Sequence, residues 1–200
     1  MHPNPAFELV DPATLSAIAR DIGFGTVTGI ASDGLRVAHV PFALFGPNQV
    51  RFHLARNNAL TEVLDGSKAL LVATGPNAYV SPDWYGMDNQ VPTWNYLAVE
   101  AEGHVRRMSE PELVTLVDTL STAQEQRLQP KPIWTRQKMT DGAFENLLRG
   151  IVGFELAVRS WRGTAKFSQN KPKEARANLA HIFDEAGNHA VAALTRNPPA

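Results

Sequence analysis

The sequence predicts a mainly β domain with peripheral helices, an α+β protein built around an antiparallel barrel. Three observations carry that expectation. Runs rich in β-branched and aromatic residues alternate with polar ones at a period of two, as half-buried strands do. These runs follow one another directly through turn residues such as Ser32-Asp33-Gly34, and strands adjacent in sequence favour antiparallel pairing over a doubly wound sheet. The helical patterns, finally, do not alternate regularly with the strands.

Taken in order, Asp11-Pro12 starts a helix with a capping acid and a proline in its first turn, and Leu15, Ile18, Ala19 and Ile22 follow at helical spacing. "FGTVTGIASDGLRVAHVPFAL" reads as a hairpin turned at Ser32-Asp33-Gly34. Gly46-Pro47-Asn48 turns into a third strand, "QVRFHLA", and "RNNALTEVLDG" predicts a short helix ending at Gly66. "KALLVATGPNAYVSP" predicts two strands around a turn, and "DWYGMDNQ" a polar loop. In "VPTWNYLAVEAEGHVR", Leu97, Val99, Ala101, Gly103 and Val105 share one face, while the Trp94-Asn95-Tyr96 start stands outside that alternation. A capping box at Ser109-Glu110-Pro111-Glu112 opens a helix to about Arg127. A proline-rich connection, a helix at "DGAFENLLRG", a strand at "IVGFELAVRSW", the loop "KFSQNKP" and a helix at "PKEARANLAHIFDEAG" complete the chain, with one more short helix in the tail.

The 200 residues are 44% hydrophobic, which suits a single domain over 1–200 with a C-terminal helical segment at about 171–195. A net charge of −1 supplies no electrostatic footprint for nucleic acid, so direct DNA binding is not expected. Cysteine is absent, which removes disulfides, zinc-finger spacing and a thiol nucleophile. The start "MHPNPAFELVDP" does not read as a signal peptide, and no apolar run is long enough to span a bilayer. The expected compartment is the cytoplasm.

Gly23, Gly25 and Gly29 imitate a dinucleotide fingerprint, but Thr28 stands at the third glycine position and a strand follows where a helix is required. The six histidines show no paired i,i+4 spacing, so no metal site is expected. "HLARNNAL" places Arg56, Asn57 and Asn58 where a strand gives way to a helix, a natural phosphate cradle, although an Asn cap and a solvated Arg explain the same residues. His39 has apolar neighbours, as a core histidine does. The aromatics of "SPDWYG" suit a lid or a hydrophobic plug, and Lys166, Ser168, Gln169 and Asn170 suit a ligand or an ordinary polar loop.

Together, "HVPF", "FHLARNN", "GPNAYVSPDWY", "VPTWNY", "GIVGFEL" and "KFSQNKP" occur in the order seen in the PaiB-like FMN-binding negative transcriptional regulators. The sequence resembles that family from about the first helix to the helix after "SQNKP". It departs from the family pattern at Glu100 and Glu102, at Gln124, where a histidine is usual, and at Thr164-Ala165, where Lys-Trp is usual.

The resemblance implies an FMN-binding split β-barrel of antiparallel Greek-key type, similar to pyridoxamine-phosphate oxidases and flavin reductases. It also implies a homodimer with flavin at the subunit interface. By the same resemblance Arg56, Asn57 and Asn58 hold the phosphate with His53 nearby, and His39, Val40 and Pro41 back the ring. Thr93, Trp94 and Asn95 meet the ring from the interface, with the Asn95 amide at its pyrimidine edge, and Lys166, Gln169 and Asn170 close the site. Three functions stay open: a repressor acting indirectly through its flavin, an FMN-dependent oxidoreductase on a small molecule, and a binder of haem or another planar ligand through His39 or His53.

Overall fold

The computed structural model describes residues 2–199. Seven strands form, β1 (Glu8–Leu9), β2 (Phe24–Ala31), β3 (Gly34–Leu44), β4 (Gln49–Ala55), β5 (Lys68–Val80), β6 (Thr93–Arg107) and β7 (Ile151–Lys166). Five helices accompany them, α1 (Pro12–Ile22), α2 (Glu110–Gln126), α3 (Ala143–Leu148), α4 (Lys173–Glu185) and α5 (His189–Arg196). The strand order is β1-β7-β4-β3-β2-β5-β6, and β6 pairs with β7 as well, so six strands close on themselves. Every register resolved is antiparallel. The expected antiparallel barrel with peripheral helices is the fold of this chain.

The described chain divides into two compact units of interleaved sequence. The first comprises the segment through Leu15, Thr74–Glu100 and the chain from Arg162 onward. The second comprises Ser16–Ala73 and Ala101–Trp161.

In the second unit, alternation drives inward residues of β2, β3, β4 and β7 into a common core. Val27, Val40, Phe42, Phe52 and Phe154 are all buried, and the Phe52 and Phe154 rings stack with centroids 5.8 Å apart. The strands approach closely at Gly103, where a Cβ would lie 2.0 Å from the Ala157 carbonyl oxygen. Gly25, one of the fingerprint-like glycines, is explained the same way, because a Cβ there would lie 2.7 Å from the Val72 carbonyl oxygen.

In the first unit, α4 and α5 pack together, and Trp84 meets Phe183 edge to face at 5.8 Å. Tyr79 touches both Trp84 and Trp94. Leu9 and Leu15 fill the space above Gly163, where a Cβ would clash with Leu15 Cδ2 at 2.1 Å.

Two local expectations are corrected. "RNNALTEVLDG" forms only a 3-10 turn at Ala59–Glu62, not an α-helix. Asn58 Oδ1 accepts from the Leu60 amide and closes that turn, while Leu60 and Leu64 sink beneath Gly29. The second correction concerns "KALLVATGPNAYV", which is one continuous strand rather than two around a turn. Gly75 serves close approach there, since a Cβ would lie 3.0 Å from Leu97 Cδ2.

Candidate functional site

The expected site residues fall into two sets, each within one unit. His39, Val40, Pro41, His53, Arg56, Asn57 and Asn58 belong to the second unit, and Thr93, Trp94, Asn95, Lys166, Gln169 and Asn170 to the first.

In the second unit, the β3 register with β2 sets Pro41 opposite Phe24 and His39 opposite Thr26. His39 is therefore exposed rather than in the core, with its Nδ1 3.0 Å from Thr26 Oγ1. Val40 points the other way and is 1% exposed, so only its backbone can meet a ligand. His53 is half-buried; its Nδ1 is sealed from solvent without a hydrogen-bond partner, and burial lowers its pKa. Neutral imidazole is the form that burial favours, and an unpaired buried nitrogen costs least as a bare lone pair.

Arg56 follows β4 directly. Its Nε donates to the Arg149 carbonyl at 2.5 Å and its Nη2 to the Ile151 carbonyl at 3.3 Å. It lines a cavity of about 360 Å³ together with Arg107 and Arg149, over a floor that includes Met108, Leu113 and Leu148. Glu110 and Glu145 also reach this cavity, which leaves an excess of guanidinium groups over carboxylates. Asn57 is exposed beside it in sequence. Since the following segment is only a 3-10 turn, no helix dipole contributes, and any anion there depends on guanidinium and amide donors. A second cavity of about 290 Å³ brings Pro41 and His53 to Gln124, Leu120 and Trp134. Trp134 is held by its amide, which donates to Glu125 Oε2 at 2.8 Å.

In the first unit, the alternation of β6 extends back past Leu97 to Asn95, which is 0% exposed, while Trp94 is half exposed. The start of this strand therefore obeys the same period, with an amide in place of a hydrocarbon. Asn95 Nδ2 donates to Ser168 Oγ at 3.2 Å, and Ser168 Oγ shares a 2.8 Å hydrogen bond with the Tyr85 hydroxyl. Burial raises the Tyr85 pKa, against the Ser168 hydrogen bond, so the phenol stays protonated. Gln169 is spent on its own loop, accepting from the Phe167 amide and donating to the Ala165 carbonyl. Lys166 Nζ donates to Thr93 Oγ1 and, at 2.9 Å, to the Trp94 carbonyl. A cavity of about 230 Å³ contains Thr93, Lys166 and Asn170 of the expected set.

Sequence reasoning missed Lys171, Arg107 and Arg149, which line these cavities, and read Tyr85 only as part of a lid or plug. The run "SQNK" carried a signal for Lys171. Arg107 and Arg149 lie far from Arg56 in sequence; the pairing of β7 with both β4 and β6 brings their ends together.

Within the second unit, the guanidinium groups of Arg56, Arg107 and Arg149 are the donors an anion would meet, and Pro41 and His39 are outward side chains on β3. No group of three or more metal-binding side chains occurs among the described residues.

The pattern of a family described as "Putative FMN-binding domain" matches residues 1–160. The chain is 27% identical over 186 residues to "Protease synthase and sporulation protein PAI 2" of Bacillus subtilis, covering 91% of this chain and 88% of that one. Its fold resembles the flavocytochrome Anf3 of Azotobacter vinelandii (TM-score 0.59, 17% identity, 83% of this chain and 72% of that chain). It also resembles a FAD and haem binding protein of Mycobacterium smegmatis (TM-score 0.55, 15% identity, 80% and 73%). At such identities these two structures speak to fold alone.

Proposed function

Because the chain belongs to the FMN-binding domain family, with FMN as its cofactor, we propose a homodimer whose flavin site is completed where two copies meet. In this reading any repressor role runs through the flavin rather than through direct contact with DNA. The cavity that gathers Arg56, Arg107 and Arg149 carries the proposal, since an excess of guanidinium groups over an apolar floor suits a terminal monophosphate. Arg56, Asn57 and Asn58 hold the phosphate end, and the outward side chains of His39 and Pro41 back the ring, with Val40 contributing backbone only. His53 stands behind as an imidazole that burial keeps toward its neutral form. Thr93, Trp94, Lys166 and Asn170 approach from the second copy, and Asn95 and Gln169 hold those residues in place.

When bound, FMN supplies hydride-transfer chemistry, and the protein supplies orientation and electrostatics. Lys166 would favour added negative charge on a bound ring, and Trp94 would help cover it from water. The regulatory half of the proposal draws on the Bacillus relative, which is named for protease synthase and sporulation. An oxidoreductase acting on a small molecule is the second reading, favoured by the lysine-lined cavity of the first unit.

An absorbance spectrum of the purified protein, followed by titration with FMN, riboflavin and FAD, tests the proposal. Flavin bands and tighter binding of FMN than of riboflavin are expected. Haem bands, or tight FAD binding without FMN binding, would overturn it.

A further inference from the structure

The cavity of about 230 Å³ in the first unit gathers cations and no acids. Lys166 ends β7, Lys171 follows in the next loop, and no Asp or Glu lines the space they share. Their hydrogen-bond partners are neutral: Thr93 Oγ1 and the Trp94 carbonyl for Lys166, and Gln90 Oε1 at 2.5 Å for Lys171. Among the described residues neither ammonium has a carboxylate within ion-pair distance. Burial, and then the Lys171 charge, lower the Lys166 pKa. Two like charges in one partly enclosed space repel, and a shared anion relieves both.

The loop that presents these groups is built rather than loose. Ser168 is buried and adopts φ of 59°, a left-handed conformation that non-glycine residues seldom take. Its hydroxyl is held by Tyr85 and Asn95, and Gln169 ties the flanking backbone. This strained turn sets Asn170 and Lys171 at the cavity. The remaining wall includes the rings of Phe7 and Tyr85, with Lys171 Nζ 5.4 Å from the Tyr85 ring centre. The volume suits a single-ring molecule and is small for a nucleotide or a flavin.

We infer that this cavity binds a small organic oxyanion, a carboxylate or phosphate on a flat apolar body. The oxyanion lies between Lys166 and Lys171, and the body lies against Phe7 and Tyr85. As a binding site it stands on the first unit alone; as the substrate site of a flavoprotein it rests on the flavin reading above.

The test is calorimetric titration of the purified full chain, with and without added FMN, using benzoate, phenyl phosphate and neutral benzamide as probes. Benzoate or phenyl phosphate should bind about tenfold or more tightly than benzamide, which keeps the ring but lacks the charge. A preference between the two acids tells carboxylate from phosphate. Lys171→Met and Lys166→Met should each weaken the acid about tenfold, and Lys171→Arg should retain binding, with thermal midpoints confirming folded variants. Equal binding of benzamide, an unchanged affinity in Lys171→Met, or no binding of any probe to folded protein would overturn the assignment. Displacement of benzoate by FMN but not by riboflavin would also overturn it, because the cavity would then be the flavin's own phosphate site. Acid binding without any flavin binding would leave this site standing and remove the flavin reading. Flavin binding without acid binding would do the reverse.

Discussion

Asn95 shows how one residue can read as a ligand contact and fold as a scaffold. Its amide is sealed from solvent and bonded to Ser168, so its effect on any bound molecule passes through the turn that carries Asn170 and Lys171. Asn95→Leu keeps the bulk but sets hydrocarbon against a buried hydroxyl, at a cost of about 1–3 kcal/mol. The thermal midpoint of the free protein should therefore fall before any flavin is added, and an unchanged midpoint would restore a purely ligand-facing role. Trp94→Leu, one residue away and half exposed, gives up a ring contact with Tyr79 and a hydrogen bond to Asn77 but no buried partner, and should lower the midpoint less. Arg56 is the converse case. It is exposed and partly tied to the Arg149 and Ile151 carbonyls, so it serves backbone and cavity at once. Arg56→Ala should weaken FMN more than riboflavin, because only FMN carries the phosphate. Parallel titrations of both ligands decide the point, and equal losses would remove the phosphate assignment.

Elements in this chain are held by a few charged clasps as well as by the hydrophobic period. Glu112, in the first turn of α2, accepts from the Ser109 amide and hydroxyl and from the Arg106 guanidinium. Those contacts, Arg106 first and then the Ser109 amide, hold its carboxyl down to about 2 from an ordinary 4.5. Because the folded pKa is depressed, this contribution is fully present above pH 4.5 and is lost as pH falls from 4.5 toward 2. Thermal midpoints from neutral to acid pH should show wild type above Glu112→Gln, with the gap closing across that window. A gap that stays constant would show that the carboxylate charge is not what holds the helix start. The strands were legible because period-two burial is a local property: β2, β4 and β6 follow their alternation closely, and β3 does so from Val37 to Phe42. The full length of β5 was not legible, because Gly75-Pro76 reads as a turn until Leu97 is known to lie against the glycine. The helix expected after β4 failed for a related reason. Asn58 caps a 3-10 turn as well as it caps a helix, and burial of Leu60 and Leu64 against Gly29 decided between them.

At the scale of the whole molecule, the proposed second copy is tested on what the described residues leave uncovered. On the second unit, Phe24, Ile30, Leu35 and Val37 are each more than half exposed. The β2–β3 register pairs Phe24 with Pro41, Thr28 with Val37 and Ile30 with Leu35, so all of these share one outward face. Leu70 and Val72 of β5 continue it, through their pairing with Thr28 and Thr26. An apolar sheet face of this kind marks an interaction surface rather than a solvated one. His39 lies on the same face, opposite Thr26, so the residues read as backing the flavin ring belong to the surface that a partner would cover. The sequence named His39 and Pro41 as residues, but not their place on the exposed apolar face of β2 and β3, which depends on strand register. A net charge of −1 gives the chain as a whole no attraction for DNA, and no specific complex with a promoter fragment is expected from the purified protein at physiological salt. Leu35→Glu combined with Val37→Glu adds charge to exposed positions and leaves the buried core untouched. Sedimentation should show a dimer for the wild-type chain and a monomer for this variant, with FMN affinity falling in parallel and far-UV circular dichroism unchanged. A variant that remains dimeric would place the interface elsewhere, and a monomer that binds FMN as tightly as the wild type would show that one copy completes the site alone.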